Sequence, residues 1–453
     1  MRVRLRVAIV RLVAGVTTAW SMFAGEQPAA PASASEGQVE ALKKQNAELQ
    51  QRVDKLAGEL QQIKDQLAVK PAPAAAAATP TKKPTILGAD VEIYGYVKLD
   101  AAYDDSRVSV GNYARWVESE EVNRNDNEFN MTANETRLGV RLRGPDTGSL
   151  RSLGVIEADF YGGGAENSPN PRLRLAYLNL EWPDLGFSVL AGQAKDTISP
   201  LYQPRVNFSP GWWQGNLDFR RPQLRLTQTV PLAEGVQLRF EAAAARTIAP
   251  AFTAPRDFFP DPGADAGYPT AQGRVSLTFP GFNRLPITLG ASGHWGEDEH
   301  DFTNFTHSLH FKTWSGNVDL TLPFTPWLKL QAEAYLGENL EPYLGGIGQG
   351  VNATLLKEIR ARGGWGALTL GPFDRWTFNF GYGIDDVNRN DLTGTANPAT
   401  DPRTRNQVAF GNVYFSLTQN LQLALEESRL RTDYKSVRHG DDWRTQFAII
   451  YKF

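Results

Sequence analysis

Apolar and polar residues alternate along much of this chain, most clearly in its last eleven residues, 443–453. There the apolar side chains of Phe447, Ile449, Tyr451 and Phe453 share one parity, and most of the other positions are polar or small. A period of two indicates a β-strand with one apolar face. This length suits a tilted strand that crosses about 30 Å of hydrocarbon. For this segment alone, an edge strand of a soluble sandwich is the alternative.

Strand-like patterns recur after residue 90. The sixteen segments are 91–103, 130–143, 152–160, 172–182, 187–194, 222–230, 236–245, 271–279, 285–295, 308–322, 328–336, 357–370, 376–385, 405–417, 421–431 and 443–453. Seven short turns rich in Pro, Gly, Asn and Asp alternate with eight longer polar loops. An even-stranded membrane barrel with both ends on one side requires this alternation. The sequence therefore predicts an all-β transmembrane fold, a sixteen-stranded antiparallel outer-membrane β-barrel over residues 90–453.

A different period occupies residues 36–69, where apolar side chains recur at spacings of three and four. The positions that follow the heptad are Val39, Leu42, Asn46, Leu49, Val53, Leu56, Leu60, Ile63 and Leu67. Unbroken heptads predict an α-helical coiled coil, and the buried amide of Asn46 fixes its register. Because such helices must associate, we expect an oligomer with this coiled coil in the periplasm.

The flanking segments have no core-forming pattern. Residues 1–32 combine a basic start, an apolar stretch and small residues, which predicts a signal peptide with an uncertain cleavage site. Arg11 interrupts the apolar stretch, and a short membrane anchor is the alternative. Residues 70–89, rich in Pro and Ala, predict a semi-extended linker.

Composition excludes several classes of function. The chain has no cysteine, which rules out disulfides and thiolate sites, and its net charge of −3 is too balanced for nucleic-acid binding. After the amino terminus, no run of about 20 apolar residues predicts a membrane-spanning helix.

Short motifs then suggest a family. These are Y-G-Y-V-K-L-D at 94–100, T-R-L-G-V-R at 136–141, R-L-R-L-A-Y at 172–177 and A-G-Q at 191–193. With the coiled coil and the terminal Phe453, they resemble the DcaP-like family of trimeric Gram-negative outer-membrane porins. The resemblance implies a homotrimer of sixteen-stranded barrels, a third loop folded into each pore, and uptake of small anionic solutes such as dicarboxylates.

Strand parity predicts a lumen lined by arginines. The candidates are Arg137, Arg141, Arg143, Arg172, Arg174, Arg225, Arg239, Arg274, Arg360 and Arg362. Arginine is always charged and binds carboxylates through paired hydrogen bonds. A row of arginines therefore offers a permeating anion successive weak binding partners. Acids share the inward parity, namely Asp100, Glu157, Asp159, Glu241 and Glu333. The alternative is therefore that these charges pair with one another across the lumen.

The third long loop, about 195–221, is the candidate constriction. Its charged residues are Lys195, Asp196, Arg205, Asp218, Arg220 and Arg221. Trp212, Trp213 and several prolines suit a compact loop packed against a wall. The alternative is an outward loop at a trimer contact or at the cell surface.

The sequence thus predicts a porin in the outer membrane of a Gram-negative bacterium, for passive diffusion of small anions. A structural tether between outer membrane and cell wall, with little channel activity, is the alternative. No catalytic motif, cofactor site or metal site is expected, although His307 and His310 are close enough in sequence to share a metal. Expected partners are other copies of the chain, outer-membrane lipid, lipopolysaccharide and, near the coiled coil, peptidoglycan.

Overall fold

The computed structural model describes residues 85–86, 88–122, 126–249, 262–300 and 308–453, with eight residues between 44 and 58. The chain forms two compact units, Met1–Thr81 and Lys82–Phe453. The predicted signal peptide and most of the predicted linker lie outside the described residues. Thr85–Ile86, at the end of the expected linker, instead pairs as a short strand with Ala89 and Asp90.

In the first unit, the described residues are helical and exposed, namely Lys44, Ala47, Glu48, Gln51, Arg52, Asp54, Lys55 and Gly58. They occupy the b, c, f and g positions of the predicted heptad. All a and d positions lie outside the described residues, so the coiled coil stays a prediction. Among the residues that the structure describes, no helix is long and apolar enough to cross a membrane.

The second unit is a closed antiparallel barrel, which confirms the predicted sixteen-stranded barrel. Its sixteen strands are Ala89–Asp104 (β1), Glu128–Thr132 with Arg137–Arg143 (β2), Arg151–Asp159 (β3), Arg172–Trp182 (β4), Phe187–Lys195 (β5), Arg220–Ala233 (β6), Val236–Ala245 (β7), Thr270–Pro280 (β8), Pro286–His300 (β9), Leu309–Thr325 (β10), Leu328–Glu338 (β11), Arg360–Phe373 (β12), Trp376–Val387 (β13), Arg403–Ser416 (β14), Leu421–Tyr434 (β15) and Gly440–Lys452 (β16). Each strand pairs with its neighbours in sequence, and β1 pairs with β16 from Tyr96↔Lys452 to Asp104↔Arg444. This last pairing is the closing seam.

Long loops at one end of the barrel carry most of the remaining structure. They include L1 (105–127), L2 (160–171), L3 (196–219), L6 (339–359), L7 (388–402) and L8 (435–439). Short elements are the strands Gly164–Ala165, Ser168–Pro169, Val351–Asn352 and Lys357–Glu358, the helix Pro262–Asp265, and the 3-10 turns Pro183–Leu185, Phe282–Arg284, Glu341–Tyr343 and Arg389–Asp391.

Most strands end within a few residues of their predicted extents, and two larger differences have a clear cause. β2 is interrupted between Thr132 and Arg137, where Glu135 turns inward to pair with Lys98 and to accept a hydrogen bond from Tyr96 at 3.0 Å. β12 begins at Arg360, because residues 357–358 pair with residues 351–352 in a small hairpin of L6. Local pairing partners thus override the alternating pattern at both places.

Candidate functional site: the lumen and its third loop

The barrel wall is apolar outside and polar inside. On β1, Ile93, Val97 and Leu99 are exposed on the outer face, whereas Lys98 and Asp100 are buried in the interior. An outward apolar band with a polar interior is the arrangement of channel-forming barrels.

L3 lies inside this wall and crosses the lumen. The backbone N–H of Leu201 donates to Glu333 of β11 at 2.7 Å, and Asn412 of β14 donates to the carbonyl of Pro204 at 2.7 Å. L3 begins at β5 and ends at β6, which lie about half the circumference away from β14. The loop therefore spans the barrel rather than extending outward.

The tip of L3 is fixed at the closing seam. The N–H of Val206 donates to Glu426 of β15 at 2.6 Å. Its carbonyl accepts from Lys98 of β1 at 2.8 Å and from Gln446 of β16 at 3.5 Å. The wall thus satisfies both backbone polar groups of Val206.

Arg205 anchors the loop and does not face the solute path. Its fully buried guanidinium donates to Gln214 at 2.6 Å, and to Glu426 and Ser428 at 3.2 Å each. Burial lowers the pKa of Arg205 from its ordinary value, and the carboxylate of Glu426 opposes this change. The expectation that Arg205 lines the constriction is wrong, because all its donors are directed into packed protein.

The base of L3 is held in the same way. Asp196 lies 3.0 Å from Arg221 and accepts from Gln272 at 2.8 Å, and Arg221 also lies over the ring of Tyr343. Burial raises the pKa of Asp196, while Arg221 opposes the rise. These two residues, like the buried Asp218, stabilise the loop instead of lining the constriction.

Of the six predicted constriction residues, Lys195 and Arg220 have side chains that remain partly exposed. The ammonium of Lys195 lies over the ring of Tyr202 and 3.9 Å from Asp218. In the described part of the chain, the side chain of Arg220 has no hydrogen bond or ion pair, and its Nη1 atom is buried without a partner. Its charged neighbours include Arg174, Asp218 and Arg172. Arg220 is therefore a guanidinium with spare donors beside L3.

Arginines of β2 and β4 meet acids of β3. Arg172 binds Asp159 through two bonds of 3.0 and 2.7 Å. Arg174 bridges Glu157 at 2.9 Å and Asp159 at 2.6 Å. The register shifts between Glu157 and Ala158, leaving Arg174 as the extra residue of a β-bulge. Bulges re-aim side chains next to functional sites, and here the bulge brings both arginines onto one acidic pair.

The other inward arginines also have partners. Arg137 lies 3.6 Å from Glu157, and both Arg141 and Arg143 reach Glu92, at 2.7 and 3.4 Å. Further round, Arg239 and Arg274 share Glu241, at 3.0 and 3.3 Å. Two more pairs complete the set, Arg225 with Glu241 at 3.9 Å and Arg274 with Asp319 at 2.7 Å. Most of these arginines are therefore paired with acids, as the alternative left open by the sequence expected, but the pairs join residues on the same or nearby strands along the wall rather than across the lumen.

Arg360 and Arg362 were expected to face the lumen, and this expectation is wrong. They share the outer face of β12 with the exposed Leu368, whereas Ala361 and Trp365 are buried inside. Their partners are Asp391 and Asp386, and the side chain of Arg362 is 76% exposed. The inward parity of β12 is set by small and aromatic residues that pack against the loops.

L1 and L6 also enter the barrel, which the sequence analysis missed. Leu340, Tyr343 and Ile347 of L6 are buried with Ile198 and Leu217 of L3 in one apolar cluster. A second cluster joins Phe208, Trp212 and Trp213 of L3 to Tyr113 and Trp116 of L1, Tyr161 of L2 and Leu344 of L6. The available signal was the number of large apolar residues in segments assigned as polar loops.

Glycines show how closely L3 approaches the wall. Gly215 has a φ of +100°, and a Cβ there would overlap the carbonyl of Gly364 on β12. A Cβ on Gly383 of β13 would overlap the carbonyl of Gln214 in L3. Glycine is therefore required where backbone meets backbone.

One possible metal-ligand group occurs among the described residues. Ligand atoms of Glu120, His439 and Asp441 lie within 4.8 Å of one another where L1 meets L8. Arg438 already binds Glu120 at 2.8 Å, and two further arginines approach Asp441, which disfavours a cation. His310 pairs with Glu297, and His307 lies outside the described residues.

Comparisons with known proteins agree with this geometry. Residues 28–206 match the model of the DcaP outer membrane protein family. The outer membrane channel DcaP of Acinetobacter baumannii has a similar structure, with 18% identity over 81% of this chain and 98% of that one, and a TM-score of 0.64. The resemblance to the DcaP family is confirmed.

An anion-selective porin from Comamonas acidovorans shares the fold of this DcaP-like chain at 12% identity. It covers 81% of this chain and 100% of its own, with a TM-score of 0.52. No curated protein sequence matches significantly. The family match and the barrel fold support an outer-membrane channel and do not point to an enzyme.

Proposed function

We propose that this DcaP-like chain is a porin for passive diffusion of small, preferentially anionic solutes such as dicarboxylates. The observation that carries the proposal is Arg220, a half-buried guanidinium at the end of L3 that has no hydrogen bond or ion pair among the described residues. The two oxygens of a carboxylate can accept paired hydrogen bonds from such a guanidinium group. An anion passing L3 gains a partner there without breaking an existing ion pair.

Partly exposed cations on the inner wall extend this path. The side chains of Arg172, Lys195 and Arg137 remain 33%, 24% and 24% exposed although each lies near a carboxylate. Their acids offset much of the charge, so we expect a moderate anion preference that weakens at high salt, as screening shortens to about 3 Å near 1 M. The similar fold of the anion-selective porin supports this direction.

Reversal potentials across planar bilayers test the proposal, with Arg220→Gln as the variant. Losing one charge in a partly solvated lumen costs about 1 kcal/mol, so the anion-to-cation permeability ratio should fall about fivefold. Dicarboxylate flux into liposomes should fall with it. The control is Arg151→Gln, which removes an exposed arginine at the start of β3, far along the wall from L3. Cation selectivity in the unchanged protein would refute the proposal.

We further propose a homotrimer joined by the coiled coil at 36–69, with the signal peptide at 1–32 and the linker at 70–89 as predicted. The heptads and the family of trimeric porins support it. Mass measurement of the intact complex tests it, and a monomer would contradict it.

A tether with little channel activity is the second candidate. Its support is the apolar packing of L1, L3 and L6 inside the barrel, which fills space that a wide pore would leave open. Bilayer conductance separates the two functions, because a barrel closed by its loops conducts no ions.

A further inference from the structure

The outward arginines of β12 belong to a groove on the outer face of the barrel, at the end that carries the long loops. The groove has a volume of about 520 Å³, and its charged lining consists of Arg360, Arg362, Arg389, Arg405, Asp386 and Glu338. Trp314 and Leu336 form its apolar edge. No element of the described chain covers it, as the 76% exposure of Arg362 shows.

Cations outnumber carboxylates around this groove. Asp386 is shared by Arg362 and Arg405 at 3.1 and 3.0 Å. Asp391, at its rim, is shared by Arg360 and Lys357 at 2.7 and 2.6 Å.

Arg389 adds a cation without a carboxylate. Its guanidinium donates to the carbonyl of Lys435 at 2.8 Å and has no ion pair among the described residues. Glu338, the third acid, accepts from the indole of Trp314 at 2.9 Å. Five cations thus face three acids, and the excess positive charge is available to an external anion.

A second, apolar groove of about 820 Å³ adjoins the first on the side toward the middle of the barrel. Its outward lining includes Val318, Ala332, Ala334, Gly364 and Gly366, bordered by Leu289 and Tyr382. The two grooves are continuous along the strands, since Gly364 follows Arg362 by two residues on the outer face of β12. The groove exists because its glycine and alanine side chains leave open a space that larger side chains fill elsewhere on the outer face.

We propose that the two grooves together bind one phosphorylated lipid of the outer leaflet. Its headgroup phosphates lie on the arginines, and an acyl chain lies along the glycine and alanine surface. Guanidinium groups bind phosphate through paired, charge-assisted bonds, which explains the excess of arginine here. Because the site lies on the outer face and not in the lumen, lipid binding can be tested independently of the porin function.

The headgroup half is tested by native mass spectrometry of the full-length protein in detergent, titrated with bisphosphorylated lipid A. Arg362→Gln with Arg405→Gln should weaken binding about tenfold or more. The matched control is Arg429→Gln with Arg431→Gln, which removes the same charge from the outer face of β15 outside both grooves. Equal loss in the control, or equal binding of dephosphorylated lipid A, would overturn the proposal.

The acyl half is tested by filling the apolar groove. A Cβ on Gly366 would lie 4.0 Å from that of Ala332, an ordinary contact, so Gly366→Leu should fold and weaken lipid A binding. Gly273→Leu on the outer face of β8 is the control, since its Cβ would lie 3.7 Å from the nearest atom, an ordinary contact, and the residue lines neither groove. Conductance should be unchanged in both variants. Undiminished lipid binding by Gly366→Leu would contradict the proposal, as would disulfide cross-linking of two chains through Gly366→Cys, because a second copy would then occupy the groove.

Discussion

Replacing Arg205 by Met tests whether L3 is held across the lumen by its buried ion pair. The substitution keeps an apolar stem of similar length and removes the bonds to Glu426, Gln214 and Ser428. Glu426 keeps the N–H of Val206 and the amide of Asn412 but loses its only cationic partner within 4 Å among the described residues. A buried carboxylate is then left without a counter-charge.

Breaking a buried pair on one side costs about 3–5 kcal/mol. If this cost falls on the docked state of L3, the opened state is populated about 10²- to 10⁴-fold more often. Hydrogen exchange at the Val206 amide, measured by mass spectrometry of peptides covering residues 200–210, should accelerate by that factor. Single-channel recordings should show larger or noisier conductance, because a loosened loop obstructs the lumen less.

The companion variant combines Arg205→Met with Glu426→Gln. It removes the unpaired buried charge of Glu426 and should therefore recover part of the protection of the Val206 amide against hydrogen exchange. The control is Arg431→Met, which breaks an exposed pair on the outer face and should cost at most about 1 kcal/mol. Exchange at Val206 in Arg205→Met that matches the unchanged protein would refute the account of L3 anchoring.

Three further predictions concern the loops and the amino-terminal unit. Burial raises the pKa of Glu341 in L6 to about 7, against the opposing charge of Arg403, so the folded state holds its proton more tightly. L6 docking should therefore weaken as pH rises from about 4.5 through 7, and Glu341→Gln should abolish this dependence of L6 hydrogen exchange. Hydrogen bonds from Arg360 and Lys357 hold the pKa of Asp391 in L7 well below its usual value. That stabilisation is fully present above about pH 4 and declines progressively in stronger acid, so Asp391→Asn should speed L7 proteolysis at neutral pH and have a smaller effect as the pH falls below about 4. Deleting residues 39–67 should leave oligomers that dissociate at lower temperature on unboiled gels, and an unchanged dissociation temperature would contradict a stabilising coiled coil.

Alternation was sufficient to predict the barrel because period-2 patterning is a property of each strand by itself. The same reasoning placed Arg137, Arg172 and Arg274 on the inner wall, where lipid-facing leucines or valines flank them in sequence. An inward third loop followed from its tryptophans and prolines together with the family resemblance. These inferences need no knowledge of which strands are neighbours in space.

The errors arose where distant contacts decide the outcome. β12 begins with Arg360-Ala361-Arg362-Gly363-Gly364, and neither parity there is distinctly apolar. The inner face is chosen by the fit of Ala361 against the loop cluster rather than by local pattern. The role of Arg205 likewise depends on Glu426, a residue 221 positions away. No rule based on spacing along the chain can identify such a partner.

The attachment of Val206 to Lys98, Glu426 and Gln446 has a consequence for the order of folding. These contacts come from β1, β15 and β16, and the seam they share joins residues as far apart in sequence as Asp100 and Gln446, 346 positions. Such non-local pairings form slowly, because closing a long stretch of chain costs entropy before any contact is gained. The binding surface for the tip of L3 does not exist until the first and last strands have met. L3 must therefore dock late, so that protection of the Val206 amide marks the time at which the barrel has closed.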